Sequence, residues 1–153
     1  MWRVELESAQ KPAFHGALRQ VLARYLEEEP GEIGLSVGEH GKPRLAGEEF
    51  HFNLSHSGAL GLVAVCGDRE VGVDVERLRP KREAAFYRSW ARHEARVKCL
   101  GTGLGSPLIP DPPPVAVETL EVGPEYAAAV AVAGTGLLPL RGWTFDSPHR
   151  ENG

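Results

Sequence analysis

The chain has little cysteine: two thiols, Cys66 and Cys99, in 153 residues. They cannot build a disulfide framework and lack the paired spacing of a structural metal site, so both are expected to be buried free thiols. Long apolar runs are also missing. The longest, Tyr126 to Leu140, is broken by Gly134 and Gly136 and falls short of the roughly 20 residues a bilayer-spanning helix needs. The opening MWRVELES has neither the basic start nor the apolar run of a signal peptide, which leads us to expect a cytoplasmic protein with no membrane association. Aromatics make up only 7% and form no stacking platform, and the formal net charge is −4. Both facts argue against a nucleic-acid partner.

The charge that is present is unevenly placed. Residues 77–98 hold Arg77, Arg79, Lys81, Arg82, Arg88, Arg92, Arg96 and Lys98 against only Glu83 and Glu94. That window is +6 in a chain of −4, leaving −10 elsewhere. A local basic face on an acidic protein fits a defined anionic partner, though it equally describes a solvated helix face.

Periodicity predicts an α+β fold with antiparallel strands. Phe14, Leu18, Val21, Leu22, Tyr25 and Leu26 recur at helical spacing within 11–28, and Pro30-Gly31 closes that helix. Short strands are expected over 33–37 and 50–54, separated by a turn at His40 to Pro43 and followed by a polar turn, Ser55 to Gly58. Residues 59–66 and 70–75 read as a β-hairpin about Gly67-Asp68-Arg69. Residues 80–100 read as a helix with Phe86, Trp90, Val97 and Leu100 as its apolar contacts. The segment 101–114, with five prolines and three glycines, is expected to be a loop. Strands are expected over 115–122 and 126–133, and a frayed tail from Thr144.

In VGVDVE, residues 71–76, the strand period places Asp74 and Glu76 on one face and the valines on the other. Adjacent carboxylates repel, and a hard cation between them removes that cost. By itself the pair also describes two solvated acids at a strand end. Glu94 and Lys98, in WARHEARVK (90–98), are i,i+4 neighbours on a helix. They could offer a metal ligand and a phosphate ligand from one face, or simply form a surface ion pair.

Together VGVDVE and WARHEARVK resemble the paired signature of the surfactin-synthetase-type 4′-phosphopantetheinyl transferases. HGKPRL (40–45), FNLSHSG (52–58) and GPEYAAAVAV (123–132) are similar to further motifs of that family, in the same order. The resemblance implies a pseudo-dimer of two small antiparallel-sheet-plus-helix halves, here 1–69 and 70–143, with 144–153 a disordered tail. It implies transfer of the phosphopantetheine arm of coenzyme A to a serine of an apo acyl or peptidyl carrier protein, as in fatty acid, polyketide or nonribosomal peptide synthesis. The alternative it leaves open is a non-catalytic relative that only binds coenzyme A or a carrier. The roles it implies are Mg²⁺ (or Mn²⁺) on Asp74, Glu76 and Glu94; catalysis by Glu94 and Lys98; and coenzyme A contacts from Lys42, Ser55, His56, Arg92, His93 and Lys98. A monomer or weak homodimer is expected. His93 stands where the family has lysine. The short 77–89 segment implies a reduced carrier-docking element, and the short N-terminus implies that most of the family's first strand is missing.

Overall fold

A computed structural model of the chain describes residues 1–6, 10–47, 50–103, 111–136 and 139–145. The expected loop falls partly, and the residues after Phe145 wholly, outside the described residues. Two sheets and two long helices form the body, consistent with the α+β class. The first sheet has the order β4 (His51–Ser57), β5 (Leu60–Cys66), β1 (Trp2–Glu5), β9 (Trp143–Phe145). The second has the order β6 (Val71–Arg77), β8 (Tyr126–Ala133), β7 (Val115–Leu120). A small hairpin, β2 (Leu35–Val37) with β3 (Pro43–Leu45), carries the 40–45 segment beside the first sheet.

The strand period explains the layering. Alternate residues of β5 face opposite ways. Val63 joins Phe14, Leu18, Val21 and Leu22 of helix α1 (Lys11–Leu26) in one core, while Leu60, Leu62 and Ala64 meet Val71, Val73 and Val75 of β6 in a second. The far face of the second sheet carries a third core. There Ala129 and Ala131 meet Ala91, Ala95 and Cys99 of helix α2 (Ala84–Leu100). The order is thus α1, sheet, sheet, α2. Small residues on both sides let α2 approach closely, and Gly72 marks the nearest point. A Cβ there would overlap the Ala95 carbonyl oxygen and the Cys99 backbone nitrogen. Gly72→Ala is therefore expected to cost about 3 kcal/mol or more, since overpacking against backbone cannot relax by a rotamer change. Urea denaturation of the variant checks this.

Several sequence expectations need correction. Ser55, His56 and Ser57 are not a turn but the end of β4, because β5 continues to pair with them as far as Ser57 opposite Leu60. The 67–69 segment is not a hairpin turn. It passes the chain from one sheet to the other, since all seven residues of β6 take their backbone partners from β8. The first strand is present as β1, in the interior of its sheet between β5 and β9. The segment from Thr144 begins inside a strand, because Phe145 is buried against α1 and the neighbouring Trp143 stacks on Trp2. That strand runs parallel to β1, so the first sheet is mixed rather than antiparallel. On α2, Phe86 and Trp90 are 42% and 39% exposed, and the core contacts are the alanines. Both thiols are buried, as expected; burial pushes the Cys99 thiol up to about 11. Among the described residues no helix is long and apolar enough to cross a membrane.

Candidate functional site

The outer edge of β6 organises the site. Its inner edge is paired with β8, leaving the amides of Val73, Val75 and Arg77 directed toward β4. No backbone meets them. Asn53 Oδ1 accepts from Val73 N at 2.9 Å, Ser55 Oγ from Val75 N at 3.1 Å and Ser57 Oγ from Arg77 N at 3.0 Å. Every second side chain of β4 thus takes the place of a neighbouring strand. Lysines cover the carbonyls of the same edge, with Lys42 on Val71 O at 3.0 Å and Lys98 on Val73 O at 3.3 Å.

From the opposite face of β6, Asp74 and Glu76 project toward α2. Asp74 is 4% exposed and Glu94 5%, so neither the solvated-acid nor the surface-ion-pair alternative holds for them. Lys98 does not pair with Glu94. Its ammonium donates to Asp74 Oδ1 at 2.6 Å, and Ser55 Oγ lies 3.2 Å from the same oxygen and 3.3 Å from Lys98 Nζ. The Ser55 hydroxyl thus receives two hydrogen bonds and gives one, which is its full capacity. Two carboxylate oxygens are left over. Asp74 Oδ2 and Glu94 Oε1 are buried with no hydrogen-bond partner.

The electrostatics follow from this crowding. Burial pushes the Asp74 carboxyl above the usual carboxylate range, and Lys98 and Ser55 offset this only in part. Glu76 and Glu94 are raised by burial first and by the charge of Asp74 second. The Lys98 charge, and after it the nearby Trp90 side chain, pull Glu76 the other way.

The remaining candidates are placed as follows. Lys42 is 10% exposed in its side chain. It gives its three ammonium hydrogens to Glu70 Oε2 at 2.9 Å, Val71 O at 3.0 Å and Lys98 O at 3.0 Å. The last is a carbonyl at the C-terminus of α2, where the helix dipole favours a cation. His56 stacks on Phe14 with centroids 4.5 Å apart. His93 is exposed, close enough to Glu94 to lower its pKa. Arg92 is exposed and reaches Thr119 on β7 at 3.1 Å, away from the carboxylates. A cleft of about 260 Å³ opens beside Glu94 and Lys98, bounded by His40, Lys42, Asn53 and Val97. Sequence reasoning had passed over Asn53, His40 and the Trp90 contact to Glu76. A signal was available for Asn53: polar residues alternate with apolar ones across FNLSHS, as on a strand rather than a turn.

The chain is 33% identical to 4′-phosphopantetheinyl transferase HetI of a Nostoc species over 170 aligned positions, covering 83% of this chain and 72% of the relative. It belongs to the 4′-phosphopantetheinyl transferase family. No family model matches it. It is also 34% identical to 4′-phosphopantetheinyl transferase AcpT of Salmonella typhi over 110 positions, which is 54% of this chain and 56% of the relative. It is 31% identical to the L-aminoadipate-semialdehyde dehydrogenase-phosphopantetheinyl transferase of Xenopus laevis over 156 positions, 76% of this chain and 52% of the relative. The chain therefore spans about half the length of several transferases it matches.

The family resemblance implies Mg²⁺ on Asp74, Glu76 and Glu94. Among the described residues no three His, Cys, Asp or Glu side chains are pre-assembled to hold a metal ion. Yet two buried carboxylate oxygens, on Asp74 and Glu94, lack any donor, and a hard, oxygen-seeking cation is the partner such oxygens suit. The chemistry of Asp74, Glu76 and Glu94 fits the ion.

Proposed function

We propose that the chain transfers the 4′-phosphopantetheine arm of coenzyme A to a serine of an apo acyl or peptidyl carrier protein in the cytoplasm, releasing adenosine 3′,5′-bisphosphate. The observation that carries this reading is the pair of orphaned, buried carboxylate oxygens on Asp74 and Glu94, with the Lys98 ammonium beside them and an open cleft alongside. We read the two sheet-plus-helix halves, 1–69 and 70–143, as the family's pseudo-dimer, with β9 returning to the first half.

In this mechanism Asp74, Glu76 and Glu94 would hold Mg²⁺ or Mn²⁺, which would supply charge neutralisation at the pyrophosphate. The serine oxygen attacks the pantetheine-side phosphorus. A new P–O bond forms, and the bond from that phosphorus to the bridging oxygen breaks. The leaving group keeps the bond's electron pair, and Lys98 stabilises the charge that develops there. Glu94 takes the serine proton. Burial and the nearby Asp74 charge raise its pKa, which makes it a stronger base than a solvated carboxylate. Of the other coenzyme A contacts, His93 is exposed on α2 and His56 lies on β4, stacked on Phe14. Lys42, Ser55 and Arg92 would have to exchange a protein partner for the ligand.

The test is incubation with coenzyme A, Mg²⁺ and several apo carrier proteins, read by intact mass. A phosphopantetheine adduct on the carrier serine is the expected result. Coenzyme A binding by calorimetry with no adduct on any carrier would overturn it in favour of a binding-only relative. Lys98→Ala is expected to weaken coenzyme A binding ten- to a hundredfold at low salt, roughly the 1.5–3 kcal/mol of one charge-assisted hydrogen bond. The loss should shrink as salt rises, and calorimetry at two ionic strengths checks both.

A further inference from the structure

The side-chain ladder between β4 and β6 has a consequence for the site. Asp74 lies between two residues, Val73 and Val75, whose amides are each clamped from the first sheet, by Asn53 and Ser55. The two strands run in the same direction in this contact, with Asn53 facing Val73, Ser55 facing Val75 and Ser57 facing Arg77. A slip of β6 by one residue would exchange its two faces. Asp74 and Glu76 would then turn into the valine core and Val75 toward α2. Pairing with β8 resists such a slip, but it does not couple β6 to the first half, where His40, Lys42 and Asn53 border the cleft.

Asn53 is the member of the ladder with the clearest single task. It is 6% exposed, its amide oxygen is 2.9 Å from Val73 N, and it lines the cleft next to Glu94 and Lys98. The Val73 carbonyl is in turn bound by Lys98. One peptide-length of strand is thus held on its amide side by Asn53 and on its carbonyl side by the cation that pairs with Asp74. We propose that Asn53 is a positioning residue for phosphopantetheinyl transfer. It acts through the Val73 amide to fix the height of Asp74 and Lys98 against Glu94, without touching the reacting atoms. This inference rests on the function proposed above for the same site.

The experiment compares Asn53→Leu, which keeps the size but cannot accept, with Asn53→Asp, which keeps an acceptor oxygen. Amide hydrogen exchange is read on the metal-free protein. In Asn53→Leu the Val73 amide should exchange at least tenfold faster, while Gly72, Asp74 and Glu76, which face β8, keep their protection. Mn²⁺ affinity, measured by titration without coenzyme A, should fall severalfold. Turnover should drop ten- to a hundredfold with less than a twofold change in KM for coenzyme A, since a misplacement of about 1 Å can cost that much. Asn53→Asp should recover most of the lost turnover and the Val73 protection. Unchanged Val73 exchange in Asn53→Leu would overturn the proposal, as would loosened exchange with normal Mn²⁺ affinity and turnover. If the wild-type protein transfers nothing, the proposed function fails on its own, and Val73 exchange with Mn²⁺ affinity still decides whether Asn53 positions the acids. Should Asn53→Leu not fold, Ser57→Ala replaces it at the half-exposed end of the ladder. Faster exchange at Arg77 together with weaker Mn²⁺ binding would then support the ladder, and no change in either would overturn it.

Discussion

Glu94→Gln is expected to reduce transfer at least a hundredfold and, in the same protein, to raise the melting temperature measured in EDTA. The two effects share one cause. Glu94 is buried, its Oε1 has no hydrogen-bond partner, and burial followed by the nearby Asp74 charge raises its pKa. A carboxylate raised in the folded state stabilises the fold fully only below its unfolded pKa. That contribution is lost as pH rises through the higher folded value. Above that folded value the ionised carboxylate weighs on the metal-free fold, and a neutral amide of the same shape removes the charge. Removal of a buried, uncompensated charge is worth about 1–3 kcal/mol, or several degrees in a chain of this length. Loss of a positioned base and metal ligand costs about 10²–10⁴ in rate. Mg²⁺ with coenzyme A should reverse the order of the melts, because a ligand that binds only the folded state stabilises in proportion to its affinity, and only the wild type retains the full acidic set. A variant that melts at or below the wild-type temperature in EDTA would show that Oε1 is not a burden. Near-normal transfer would remove Glu94 from the mechanism.

How much of this was legible beforehand depends on range. The face of VGVDVE could be read because strand alternation is local: Asp74 and Glu76 point one way and the valines the other, as the structure shows. Likewise α1 and the strands 115–122 and 126–133 follow from periodicity and keep their places within a few residues. What could not be read was which edges meet. Gly67-Asp68-Arg69 has hairpin chemistry, but β6 gains more by pairing with the alanine-rich β8, which lies against α2, than by folding back on β5. Ser55-His56-Ser57 has turn composition, yet the serines are polar because they cap the β6 amides. Phe86 and Trp90 have core composition and lie on the open side of α2, since only alanine-sized residues fit its closest approach to the sheet. The pairing of Lys98 with Asp74 rather than Glu94 likewise depends on a contact between strand and helix that spacing along one helix cannot reveal.

Lys42→Met should destabilise the fold by about 1–3 kcal/mol, the usual cost of leaving partly buried acceptors without their donor. All three ammonium hydrogens are committed: to Glu70, to the β6 edge at Val71 O and to the last turn of α2 at Lys98 O. Methionine removes that donor from the Val71 carbonyl, leaves the Lys98 carbonyl with the Gly101 amide at 3.3 Å, and leaves Glu70 with Arg44 and His51. The pH dependence gives the sign. Burial raises the Glu70 pKa, but Lys42 and Arg44 outweigh it and hold the carboxyl below 4.5. A depressed carboxylate contributes stability that is present above its unfolded pKa and lost as pH falls through the folded one. The gap between wild type and Lys42→Met in urea melts should therefore be full near neutrality and narrow below the unfolded carboxylate range, leaving the part owed to the two carbonyls. A variant as stable as wild type at neutral pH, but weakened in coenzyme A binding, would return Lys42 to the ligand. A loss of stability that calorimetry shows is not matched by a comparable loss of affinity would make the lysine of HGKPRL the strut that ties the first half to the helix bearing Glu94 and Lys98.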